Sequence, residues 1–70
     1  MVREKYLQTI IDIVKTKGCA TRRYIIDQLL QMNLNAKQAE YIVDDIIYSL
    51  VRRNVVVRRG RGVYCWAGPP

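Results

Sequence analysis

The sequence contains no histidine, only two cysteines, and neither an acid nor a lysine anywhere in residues 52–70. Without histidine there is no imidazole to act as a general base. Two cysteines 46 positions apart form no CxxC redox motif and cannot complete a tetrahedral zinc site from Cys and His within one chain. A Gly-rich phosphate loop of the Walker type is also missing. Ser49 and the threonines have no evident partner for nucleophilic catalysis, and the carboxylates fall on helix faces that read as solvated. The expectation is a non-enzyme with no metal, no cofactor and no small-molecule substrate.

Long hydrophobic runs are missing too. The longest are a few residues, such as Ile46-Ile47 and Val55-Val56-Val57, too short to span a bilayer. Glu4 and Asp12 in the first stretch argue against a signal peptide. No membrane partner is expected, and the expected location is cytoplasmic.

What is present is a single small domain. Seventy residues, half of them apolar and 26% charged, suit one globular unit with no repeat, linker or low-complexity segment. A chain of this length buries roughly 60% of the surface its unfolded form exposes, so a deep pocket is not expected. The domain is read as residues 1–67, with 68–70 as a short tail. The net charge is +6 and the pI about 9.8. Residues 1–51 hold seven basic and six acidic side chains, whereas residues 52–70 hold Arg52, Arg53, Arg58, Arg59 and Arg61 and no acid. The positive field therefore belongs to the last quarter and is built from arginine, whose planar fork suits phosphates and base edges. A polyanion is the expected partner.

Periodicity predicts three helices. Over residues 2–17, Leu7, Ile10, Ile11 and Val14 recur at helical spacing, and Tyr6 and Ile13 widen the stripe to about half the circumference. Gly18 ends this helix. Thr21 caps a second helix running to about Met32, with Ile25, Ile26, Leu29 and Leu30 as its buried face. Asn35 and Gln38 form a capping box for a third helix running to about Arg53. Its buried face is Ala39, Ile42, Val43, Ile46 and Leu50, with Ile47 and Val51 at the margin. Val55-Val56-Val57, the turn Gly60-Arg61-Gly62 and Val63-Tyr64-Cys65-Trp66 then read as a β-hairpin.

Two helices, a tight turn, a longer helix and a basic Gly-flanked hairpin resemble a winged helix-turn-helix domain over residues 2–66. Thr21, Ile25, Leu29, an apolar Leu34 in the turn, Ile42 and Ile46 carry the resemblance. The composition, rich in Ile, Val, Tyr and Arg, is similar to that of small transcription regulators of archaea and their viruses. The resemblance implies an α+β fold, three helices with a C-terminal β-hairpin wing, and sequence-selective binding of double-stranded DNA by a transcriptional regulator. It also implies a short strand at Cys19-Ala20-Thr21 joining the hairpin, so Cys19 and Cys65 would lie on paired strands. A disulfide there is possible, but two buried free thiols are the expectation, because cytosolic disulfides are rare outside hyperthermophiles.

In such a domain the third helix enters the major groove. Lys37, Tyr41, Tyr48 and Arg52 fall on one strip roughly 60° wide at about 100° per residue, flanked by Gln38 and Ser49. Lys37 and Gln38 suit guanine and adenine edges, and Tyr41 a thymine methyl or a phosphate. Arg22 and Arg23 open the second helix, where the dipole disfavours cations, so they call for an anion such as the DNA backbone. Arg58, Arg59 and Arg61 surround the wing tip and would lie on the backbone or enter the minor groove, with Arg58 and Arg59 on opposite faces by strand alternation. Arg52 and Arg53 also complement the C-terminal dipole of the third helix.

Glu40, Asp44 and Asp45 work against this reading. They either pair with Lys37, Arg52 or Arg53 within the helix or accept from a cytosine amino group. The alternative function is a winged-helix protein–protein interaction module without DNA readout, with RNA binding a third option. The broad apolar arc of the first helix suggests a homodimer that buries Tyr6 or Ile13.

Overall fold

A computed structural model describes residues 2–69. They form α1 (Val2–Lys17), β1 (Cys19–Thr21), α2 (Arg22–Leu30), α3 (Ala36–Arg52), β2 (Val56–Gly60) and β3 (Val63–Trp66). The fold is α+β, three helices beside a three-stranded antiparallel sheet of order β1-β3-β2. Among the described residues no helix is long and apolar enough to cross a membrane.

Local chemistry ends each helix. Gly18 adopts φ +81° after α1, and its amide donates to the Val14 carbonyl at 2.8 Å, the single bond of an αL cap. Thr21 closes β1 and caps α2 at once, its hydroxyl accepting from the Tyr24 amide at 3.0 Å. Asn35 and Gln38 form the capping box of α3, with bonds of 2.8 and 3.2 Å. At the other end Asn54 sits at φ 61°. The amides of Asn54 and Val55 donate back to Val51 and Leu50, so a Schellman turn redirects the chain into β2.

Residues opposed in the sheet share a face. Ala20, Tyr64, Trp66 and Val56 meet the helices, and Val56 is fully buried. Cys19, Cys65 and Val57 lie on the other face by register. Between Arg58 and Gly60 the β2 register shifts, leaving Arg59 as an extra residue opposite β3. This bulge breaks the strict alternation that would set Arg58 and Arg59 on opposite faces.

Ile10, Val14, Ile25, Leu29, Val43, Ile46 and Val56 form the fully buried centre. Each such side chain contributes about 1.5–3 kcal/mol relative to an exposed one. Several expectations are corrected here. Leu30 stays 37% exposed, and α2 ends there, two residues short of Met32. Ile47 is buried, whereas Ile42 is only partly covered. The buried stripe of α3 is thus rotated toward α2, and Ile42 borders an apolar groove with Arg3, Tyr6 and Tyr41 on the α1 side. Tyr6, at 8% exposure, belongs to the core of its own chain and is not available to a partner. The wide stripe of α1 is used internally, since this helix touches α2, α3, β1 and β3.

The cysteines are bonded rather than free: Cys19 and Cys65 stand directly opposite across β1 and β3 and form a disulfide. Cys19, on the edge strand, is exposed, whereas Cys65, on the central strand, is 8% exposed. Hydrogen bonds also tie the end of β3 to its surroundings. The Trp66 indole donates to the Pro69 carbonyl at 3.0 Å, the Trp66 amide to Gly18 at 2.7 Å, and Ala67 to Val55 at 2.9 Å. Lys15 lies 5.6 Å from the centroid of the same indole.

Candidate nucleic-acid interface

The turn between β2 and β3 is fastened to the start of α2. The Arg22 amide donates to the Gly62 carbonyl at 2.8 Å, so Arg61 and Gly62 lie beside the first residue of that helix. Gly62 adopts φ +69°, a left-handed conformation that suits a residue without a side chain. Arg58, Arg59 and Arg61 are all exposed around this turn. Arg58 Nε donates to the Gly60 carbonyl at 3.2 Å, closing the bulged segment on itself.

From the same point the Arg22 side chain crosses to α3. Its Nε donates to Asp44 Oδ1 at 2.7 Å and its Nη2 to Oδ2 at 3.0 Å. The hydrogen bond to Asp44 holds the guanidinium more firmly protonated than usual, against an opposing effect of burial, with the charges of Asp44 and Glu40 adding to it. Arg3 of α1 pairs with Asp45 at 3.2 Å from the other side. The two acids are therefore not paired with Lys37, Arg52 or Arg53 within α3, as expected, but tie α3 to α2 and α1. These pairs are half exposed, so each contributes about 0–1 kcal/mol to stability and more to the placement of side chains. The anion that Arg22 calls for at the helix N-terminus is supplied inside the chain. Among the described residues Arg23 pairs with Asp27 alone, at 3.7 Å one turn along its own helix.

The strip on α3 is present as a surface. Lys37 and Arg52 are exposed, and Tyr41 and Tyr48 are 76% and 64% exposed. The Arg52 guanidinium stands over the Tyr48 ring, 5.8 Å from its centroid. Gln38 is exposed as well, but its Oε1 is engaged by the Asn35 amide. A bidentate contact with adenine uses that oxygen, so such a contact would open the capping box.

Hairpin turn, start of α2 and the middle of α3 are thus joined by direct contacts through Arg22. The sequence shows every member of this surface but not its wiring. Arg22 and Asp44 are 22 positions apart and Arg3 and Asp45 are 42 apart, so no local spacing signals either pair. Among the described residues no cluster of three or more His, Cys, Asp or Glu side chains is arranged to hold a metal. Compared with protein-family models, curated proteins and solved structures, the chain has no match.

Proposed function

We propose that this chain is a winged helix-turn-helix protein that binds double-stranded DNA in a sequence-selective way and regulates transcription. In this reading α3 lies in the major groove, presenting Lys37, Tyr41, Tyr48 and Arg52, and the hairpin is the wing. Arg58, Arg59 and Arg61 hold the phosphate backbone or enter the adjacent minor groove, and Arg23 adds a backbone contact. The observation that carries the reading is the bond from Arg22 to Gly62, which makes an arginine-rich turn and the exposed face of α3 one continuous surface. The net charge of +6 supplies the long-range attraction.

A salt titration on duplex DNA tests it. With about four or five phosphates neutralised, log affinity falls against log salt with a slope near −4. Undetectable binding at low salt overturns the reading in favour of a protein-docking module. That second reading is favoured by Glu40, Asp44 and Asp45 on α3 and by the exposure of Tyr41 and Tyr48. A homodimer, if formed through α1, would rest on Ile13 and the groove it lines with Thr9, Thr16 and Tyr24, not on Tyr6.

A further inference from the structure

Asp44 is an obstacle to any polyanion approaching α3. It lies on the exposed strip between Tyr41 and Tyr48, and its side chain is 57% exposed. A carboxylate so placed repels a phosphate, and a helix meant only to grip a backbone gains nothing from it. Asp44 is, however, joined to Arg22 in one particular way. The carboxylate takes the Nε and Nη2 side of the guanidinium, with contacts of 2.7 and 3.0 Å. A guanidinium carries five N–H donors in a fixed fork. Side-on pairing uses two of them and leaves the end-on edge, one N–H on each terminal nitrogen, pointing away from Asp44. The carboxylate in turn keeps unused lone pairs, since two oxygens offer about four acceptor sites. The pair therefore shows two donors and an adjoining acceptor, already held in place.

We infer that Arg22 and Asp44 act together as a reader of guanine and cytosine in the major groove. The end-on edge of Arg22 donates to N7 and O6 of a guanine, and Asp44 accepts from a cytosine N4 amino group beside it. A G·C pair presents two acceptors and then a donor along its major-groove edge, the complement of what the Arg–Asp pair presents. An A·T pair presents an acceptor, a donor and an acceptor. It sets its N6 amino group against an arginine N–H and its O4 against a carboxylate. A phosphate offers acceptors alone and meets the negative charge of Asp44. Arg22 is thereby assigned to selectivity, while affinity rests on Arg23 and the hairpin arginines. Because the pair is neutral as a unit, it adds discrimination without adding to the salt slope.

The inference rests on the DNA-binding reading, and one set of measurements separates the two. Duplexes selected from a random pool by the wild-type chain are compared with the same duplexes carrying single G·C to A·T changes or 7-deazaguanine, which lacks N7. One G·C position is expected at which either change weakens binding about tenfold, within the range of one bidentate base contact. Asp44→Asn keeps the shape and removes the charge; it is expected to bind random-sequence DNA more tightly and to lose the preference at that position. Arg22→Lys keeps the charge and removes the fork; it is expected to lose the preference while its affinity for random DNA is unchanged. Thermal melts confirm that both variants fold. Wild-type binding without a G·C preference, or a preference that survives both substitutions, overturns the inference and leaves the DNA reading standing. Equal weakening of every duplex by Arg22→Lys also overturns it, since that is the signature of a phosphate contact. No binding of any duplex at low salt overturns both.

Discussion

The backbone amide of Arg22 and the carbonyl of Gly62 lie 2.8 Å apart, and this contact brings residues 40 positions apart in the chain into one corner of the molecule. It depends on Gly62 holding φ +69°. Replacement with Ala meets only the Arg22 Cβ, at an ordinary 4.0 Å, so the cost is conformational and not steric. Gly62→Ala is expected to lose about 1–2 kcal/mol while keeping the fold. At about 4–8 °C per kcal/mol for a domain of this size, a thermal melt resolves it.

Arg61 is exposed beside that corner and makes a second, independent test of the surface. If it neutralises a phosphate, Arg61→Ala weakens all duplexes alike and reduces the magnitude of the salt slope by about 0.9. If it enters the minor groove, the loss falls mainly on A·T-rich sites, where the groove is narrow. Titrations on two duplexes at several salt concentrations distinguish these outcomes.

The disulfide between Cys19 and Cys65 fastens the first strand to the last, with a sequence separation of 46. Loop-closure entropy for a loop of that size corresponds to about 4 kcal/mol, and native disulfides in small domains typically contribute about 2–5. The double variant Cys19→Ser with Cys65→Ser, or the reduced wild type, is expected to melt at least ~10 °C lower. Intact mass with and without reductant gives the redox state directly: a gain of two hydrogens is expected on reduction.

Tyr6 and Ile13 separate folding from association. Tyr6 is in the core, so Tyr6→Ala should destabilise the chain by about 3–5 kcal/mol, as for other large-to-small aromatic substitutions. Ile13 is partly exposed on α1, so Ile13→Arg should cost little stability. Light scattering at tens of micromolar reads the rest. A wild-type dimer mass that falls to monomer in Ile13→Arg supports a contact through α1, and a monomer mass for the wild type defeats it.

The capping box at Asn35 is the simplest local test. Asn35→Ala removes the acceptor for the Gln38 amide and is expected to cost about 1 kcal/mol, read as a shift in the urea midpoint. The backbone amide of residue 35 still donates to Gln38 Oε1 in this variant, so the substitution tests the cap without releasing the Gln38 side chain.

These caps were legible because they are made within four residues. Thr21 and Asn35 announce a helix start wherever the chain goes next, and Gly18 announces a stop. The hairpin was legible for the same reason. What escaped is chemistry between distant residues. Asp44 and Asp45 looked like burdens on α3 because their partners, Arg22 and Arg3, lie on other helices. Ile42 and Ile47 sit on opposite flanks of the same stripe, so periodicity alone could not tell which flank α2 would cover. The disulfide escaped because the expected state came from the usual redox balance of cytosol and not from the register that sets the two side chains face to face. The bulge at Arg59 has no signal in residue type, since one arginine among several looks the same inside a ladder or outside it.

Trp66 is the one tryptophan of the chain, and it stands at the end of β3 opposite the turn. Its backbone is bonded to the residue that ends α1, its ring lies near Lys15, and residues 68–69 close over its edge. The molecule therefore carries a built-in fluorophore placed where α1, the sheet and residues 68–69 meet. Its emission will follow unfolding in every variant described above without a label, and a duplex that binds the folded chain will move that transition upward.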